Sequence, residues 1–239
     1  MREGLAAFAL QAETIFRLDA RLRIVGENDP DSSRGPLAFV GGCPGGVLVR
    51  LHVDVSAADA AEAERLAGST PWSDTAADPP WLDPLMAGLR ATAVERSQTY
   101  ALDQRAMPVA AGLIRSDAPE GAALVRKLER DGMPTHLVEA GFVSVGDFWA
   151  PWCAMEEDGE IAAIAFAARQ TVSGAEVGVY TFPPWRGRGL AATVTAAWSA
   201  LPELADRTLF YSTTIDNLAS QRVAARLGLT QIGASLRLT

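Results

Sequence analysis

Polar and apolar residues alternate with period two over residues 13–25. Phe16, Leu18, Ala20, Leu22 and Ile24 stand against Arg17, Asp19, Arg21 and Arg23. Such alternation predicts a strand or hairpin with one buried face. GENDPDSSRGP, which follows, is turn material. Alternation resumes in GGVLVRLHVDV and gives way, behind a Ser56 cap, to SAADAAEAERLAG, a helix ending at Gly68. Four prolines within residues 69–84 exclude a helix interior or a central strand and predict a surface connection. A helix is expected over about residues 84–96, with Asp83 as cap and Pro84 in its first turn. DAPEGAALVRKLERDG reads as a second capped helix.

From Trp152 onward the pattern is denser. WCAMEEDGEIAAIAFAARQTVSGAEVGVYTF predicts three antiparallel strands, with tight turns at Asp158-Gly159 and Ser173-Gly174. A helix over about residues 190–201, the strand RTLFYSTTI, the helix NLASQRVAARLG and a final strand near QIGASLRL complete the chain. The fold class is therefore α/β (α+β), with no internal repeat.

Composition narrows the function. The 239 residues are 49% hydrophobic with a net charge of −8, which suits a sizeable core and argues against nucleic acid or an anionic membrane as partner. Cys43 and Cys153 lie far apart, and His52 and His136 are the only histidines, so neither a disulfide framework nor a metal site is indicated. The apolar run in MREGLAAFALQAE is too short for a secretory signal and IAAIAFAA too short for a membrane span, which makes the expected location cytoplasmic. Ser144 in GFVSVG lacks the glycine that a nucleophile elbow needs, and has no evident histidine partner.

The stretch AEVGVYTFPPWRGRGLAATVTAAW carries the clearest chemistry. Pro183 and Pro184 cannot donate to a strand ladder, so the chain must leave the sheet there. Gly187 and Gly189 allow positive φ and close approach of a ligand to the first amides of the next helix, whose orphan N–H groups and dipole favour an anion. Arg186 and Arg188 add positive charge, so a diphosphate is the natural guest. Two other readings stand beside this one: a plain strand-to-helix turn with solvated arginines, and a dinucleotide fingerprint, Gly187-x-Gly189-x-x-Ala192 with Asp216 as ribose acid. The fingerprint is contradicted by Pro-Pro-Trp-Arg between strand and glycine and by the few residues left after Asp216.

Arg186-x-x-Gly189-x-Ala191, followed by helix, strand and DNLASQRVAARLGL, resembles the GNAT superfamily of N-acetyltransferases over about residues 115–239. That family's acyl-CoA motif is Q/R-x-x-G-x-G/A after a strand. Its second signature is N-x-x-A/S before a helix that ends in a Leu-Gly-Phe-like turn, matched here by Asn217, Ser220 and LGL at 227–229. The resemblance implies a mixed, mainly antiparallel sheet flanked by helices, with acetyl-CoA as co-substrate and no metal. It implies that amides of Gly187, Arg188, Gly189, Leu190, Ala191 and Ala192 hold the diphosphate, and that Val179, Tyr180, Thr181, Asn217 and Ser220 meet the pantetheine arm. The strand before the loop is expected to splay from the next. The reaction implied is direct acetyl transfer to a primary amine of a small molecule, peptide or protein in a ternary complex.

Glu176 falls where the family often keeps an acid and is the candidate base; the competing reading is an exposed acid just past a turn. The family's frequent tyrosine, seven residues after the Asn, falls on Ala224 here. Tyr211, Tyr180 and Ser212 are substitutes for the thiol-side acid, although both tyrosines also suit plain strand packing. That gap keeps a non-catalytic acyl-CoA-binding or regulatory protein in play. Residues 106–239 form the GNAT-like catalytic domain in this reading. Residues 1–105 form an additional α/β region, either a degenerate copy of the same fold or an extension that shapes the acceptor cleft. A homodimer is compatible with the sequence.

Overall fold

The computed structural model describes residues 3–239. In chain order the elements are α1 (Glu3–Ile15), β1 (Phe16–Leu18), β2 (Ile24–Glu27), β3 (Ala38–Cys43), β4 (Gly46–Leu51), α2 (Ala57–Ala67), α3 (Leu82–Leu89), β5 (Val94–Ala101) and β6 (Leu113–Arg115). They continue with α4 (Pro119–Asp131), α5 (Thr135–Val138), β7 (Trp152–Glu157), β8 (Glu160–Gln170), β9 (Gly174–Thr181), α6 (Leu190–Ser199), β10 (Thr208–Thr214), α7 (Leu218–Arg226) and β11 (Thr230–Leu238).

Nine strands join in one sheet of order β4-β3-β11-β5-β10-β9-β8-β7-β6, and β1 with β2 forms a separate hairpin. Every pairing in the large sheet is antiparallel except β9 with β10. A doubly wound dinucleotide-binding sheet is mostly parallel, so a sheet with one parallel pairing among nine strands excludes that alternative. Strands from both sides of residue 105 interleave, because β5 sits between β10 and β11.

Alternation along β8 assigns the two faces. Ala163, Ala165 and Ala167 pack under α6, where Trp198 is fully buried and donates its indole N–H to the Pro151 carbonyl at 2.9 Å. Ile164 and Phe166 point the other way, into a cluster with Leu124 and Leu128 of α4 and Leu137 of α5. The small alanines leave room for the tryptophan, and the uncharged sequence of α6 follows from its burial. Helix α7 joins α6 on its face through Val223 and Ala224, while α1 packs on the opposite face against β3, β8, β9 and β11.

Two expectations are corrected. The helix over residues 84–96 is earlier and shorter: α3 begins at Leu82, so Asp83 lies inside it, and ends at Leu89, capped by Arg90 in a left-handed conformation (φ 56°), and β5 at the sheet centre begins at Val94. Ser97 and Thr99 form the buried face of β5, so the strand lacks the apolar alternation that marks its neighbours. Helix α1 takes Glu13 to Ile15 out of the alternating segment, leaving a hairpin from Phe16 onward. Strand β3 carries Gly41 and Gly42, where a Cβ would come within 2.5 Å of the Phe8 ring and 2.2 Å of the Trp72 carbonyl respectively. Close approach by a helix and a loop explains two glycines in a fully buried strand. Among the described residues no helix is long and apolar enough to cross a membrane.

Candidate functional site

Strands β9 and β10 begin side by side and then part. Their parallel register pairs Thr208 with Gly174, Leu209 with Ala175 and Phe210 with Glu176, and stops there. Beyond Glu176, β9 stays with β8 as far as Thr181, while β10 stays with β5 as far as Thr214. A register shift in β8 between Ala167 and Arg169 lies beside the point of departure, and a bulge of that kind sharpens local twist. Pro183 and Pro184 then form a single 3-10 turn that takes the chain out of the sheet.

On the α6 and α7 face, the parted strands open into a cavity of about 600 Å³. Strand β9 contributes Val179, Tyr180 and Thr181; the loop contributes Arg186, Gly187 and Gly189; the first turn of α6 contributes Leu190, Ala191 and Ala192. Tyr211 of β10 and Asn217 and Ser220 at the start of α7 complete the candidates gathered here. Gly187 (φ +77°) and Gly189 (φ +84°) both use left-handed backbone, which turns the loop into the helix start. At the start of α6 the Leu190 and Ala191 amides have no intrahelical acceptor and stand at the positive end of the dipole beside this space, whereas the Ala192 amide donates to the Gly189 carbonyl at 3.1 Å. Arg186 lies across Tyr180, 5.8 Å from the ring centre, and donates to the Thr181 carbonyl at 3.1 Å. Arg188 is not part of the lining; it is ion-paired with Glu157.

Two arginines of the lining were not anticipated. Arg222 and Arg226 stand four apart on α7 and present their guanidinium groups to the cavity from the side opposite the loop. A Cβ on Gly189 would fall 2.3 Å from Nη1 of Arg226, so that guanidinium rests directly on the glycine. Among the described residues no carboxylate pairs with either arginine. Together with the helix amides they suit a polyanionic ligand.

Asn217 caps α7, its Oδ1 accepting from the Ser220 amide at 3.0 Å. Tyr211 is buried against Ala224, and its hydroxyl lies 2.7 Å from Ser220 Oγ at the cavity wall. Burial holds the Tyr211 phenol above its ordinary range, outweighing the hydrogen bond from Ser220, so the group stays a proton donor.

Glu176 projects to the other face of the sheet. Its Oε2 accepts from Gln11 Nε2 at 3.1 Å and from Ser212 Oγ at 3.2 Å. Burial pushes this carboxyl up, more than the two hydrogen bonds and the charges of Arg169 and Arg237 pull it down. It lines a second cavity, of about 180 Å³, with Gln11, Ser97, Ser212, Ser235, Glu95 and Arg237 among its walls. Gln11 is the third residue missed: the one amide in the apolar run LAAFALQA marks the inward face of α1. No group of three or more His, Cys, Asp or Glu side chains suited to a metal ion occurs among the described residues.

Residues 136–230 match the model of the acetyltransferase (GNAT) domain family. No curated protein matches the chain. Among solved structures, a GNAT-family protein from Novosphingobium aromaticivorans is 19% identical, covering 92% of this chain and 90% of its own, with a TM-score of 0.48. A GNAT-family acetyltransferase from Colwellia psychrerythraea is 14% identical over 100% of this chain and 96% of its own, TM-score 0.45. A GCN5-related N-acetyltransferase from Sphaerobacter thermophilus is 16% identical over 88% and 78%, TM-score 0.46. The family match spans the parted strands, the glycine loop and α7, so over residues 136–230 the chain is similar to the acetyltransferase (GNAT) domain.

Proposed function

We propose that this protein transfers an acetyl group from acetyl-CoA to a primary amine by direct attack within a ternary complex. The observation that carries the reading is the parting of β9 and β10 between two cavities, one lined by helix amides and arginines, the other by a carboxylate. A polyanion seated on the amides of Gly187 to Ala192 and on Arg186, Arg222 and Arg226 would direct its thioester end toward the gap. Acetyl-CoA supplies the activated acyl group. In this reading residues 106–239 hold the donor, and residues 1–105 shape the acceptor side through Gln11, Glu95 and Ser97.

Glu176 takes a proton from the incoming ammonium, directly or through water, freeing the nitrogen lone pair. As the nitrogen bonds to the acyl carbon, backbone amides released where the strands part polarise the carbonyl oxygen. The C–S bond then breaks, a second proton leaves nitrogen for solvent, Tyr211 donates its own to the departing sulfur before being reprotonated from solvent, and Glu176 returns its proton to solvent. The sum is amide, free thiol and one released proton. An acidic chain working on a small amine fits a cytoplasmic enzyme without nucleic-acid or membrane partners, as monomer or homodimer.

Calorimetry with acetyl-CoA, followed by amine-dependent release of CoA across an amine panel, tests the reading. Saturable binding with turnover supports it; nicotinamide dinucleotide binding that CoA does not displace would overturn it. Ala224 in place of tyrosine favours one rival, a non-catalytic acyl-CoA binder, which predicts binding without turnover. Tyr211→Phe keeps the buried ring and removes the hydroxyl. It is expected to lower kcat about tenfold, less than the usual general-acid effect because a thiolate leaves readily, with acetyl-CoA affinity unchanged by calorimetry.

A further inference from the structure

The second cavity has a floor whose chemistry the acetyl-transfer reading does not use. On the α1 face, Ser97 of β5 is directly paired with Ser235 of β11 on one side and with Thr214 of β10 on the other. Three hydroxyl side chains therefore stand abreast across three strands. Ser97 and Ser235 are 7% and 4% exposed, both line the cavity, and neither hydroxyl has a hydrogen-bond partner among the described residues. Both residues are buried from the bulk but line the cavity, so their hydroxyls are offered to whatever fills it, water or a ligand. The Glu176 carboxyl is held by Ser212 on β10, and the row begins two residues further along that strand, roughly 7 Å from Ser212.

Charge at the mouth limits the ligand further. Arg237 lies directly across from Glu95, but its guanidinium is committed to buried Glu27 and stacks over Phe16 at 5.3 Å. Among the described residues that line this cavity Arg237 is the one cation, so none is left free to hold an acidic acceptor, and Glu95 is exposed and unpaired among the described residues. The volume of about 180 Å³ is that of roughly six liquid waters at about 30 Å³ each.

Resting on the acetyl-transfer reading, we infer that the acceptor is a slim amino alcohol: a primary amine placed at Glu176, with a hydroxyl several atoms away bonded to Ser97 and Ser235. A site built to hydrogen-bond a substrate hydroxyl discriminates strongly against an analogue that lacks it, whereas an added methyl gains little there.

The test compares aminopentanol with hexylamine, isosteres in which a terminal hydroxyl replaces a methyl. CoA release is measured with the full chain and with the Ser97→Ala/Ser235→Ala double variant, and acetyl-CoA affinity by calorimetry. The expected result is at least a tenfold preference in kcat/KM for aminopentanol, collapsing toward parity in the double variant. Parity or a preference for hexylamine in the unmodified protein overturns the inference, as does a preference that survives the double substitution, or no turnover of either amine by protein that binds acetyl-CoA. Failure to bind acetyl-CoA overturns the acetyl-transfer reading itself, and the inference with it.

Discussion

Glu176→Gln is expected to lower kcat/KM for amine acetylation by roughly 100- to 10,000-fold, the range for loss of a general base. The same variant is expected to abolish the acidic limb of the pH profile. Glu176 is held above the usual carboxylate value of 4.5, chiefly by burial, so in the unmodified protein activity falls as pH drops through a value higher than that. Protonated Glu176 cannot accept the ammonium proton, and Gln cannot accept it at any pH. A purely structural Glu176 predicts something else: activity lost through instability, with the limb retained in whatever activity survives. The stability sign separates the two. Because the folded-state pKa is raised, the native state binds more protons than the unfolded state between 4.5 and the raised value, and stability falls as pH rises through that window. Glu176→Gln removes that slope. A variant as stable as its parent at neutral pH, or more so, yet inactive, identifies the base; an unchanged kcat/KM rules it out.

The C-terminal half of this fold was legible in the sequence because its signals are strong and local. Apolar runs bounded by Asp158-Gly159 and Ser173-Gly174 mark β7 to β9, the paired prolines mark where β9 leaves the sheet, and Gly187 and Gly189 mark a turn that uses positive φ. The interleaving of β3 and β5 with the later strands was not legible. β5 buries Ser97 and Thr99, and β3 is buried on both faces from Ala38 through Gly41 and Gly42 to Cys43, so neither shows the apolar alternation by which a half-buried strand is read. Arg188 and Arg186 could not be told apart by spacing, since what turns Arg188 outward is Glu157 at the end of a strand 31 residues earlier. Arg222 and Arg226 did carry a signal, two cations four apart on the helix begun by Asn217. Their meaning depends on which face of α7 turns to the loop, and that is set by the burial of Ala224.

Gly189→Val is expected to weaken acetyl-CoA binding by roughly 10- to 100-fold while leaving the chain folded. Gly189 has φ +84°, and a β-branched residue held in the left-handed region costs about 1–3 kcal/mol. The contact a side chain would make is the far end of Arg226, 2.3 Å from the new Cβ, which can swing aside. The backbone strain has no such relief, so the loop settles into another conformation in which the Leu190 and Ala191 amides no longer converge. Affinity then falls by the fraction of molecules that keep the competent loop, and about 1.4 kcal/mol of depopulation is tenfold. Gly132→Val supplies the control. Gly132 has φ +86° with open space around its Cβ position, and it follows α4 away from the cavity. Strain there should lower thermal stability by a comparable amount and leave the calorimetric affinity for acetyl-CoA untouched. Equal affinity losses in the two variants would mean that general destabilisation is being read; unchanged affinity in Gly189→Val would mean that the diphosphate is held elsewhere than on the start of α6.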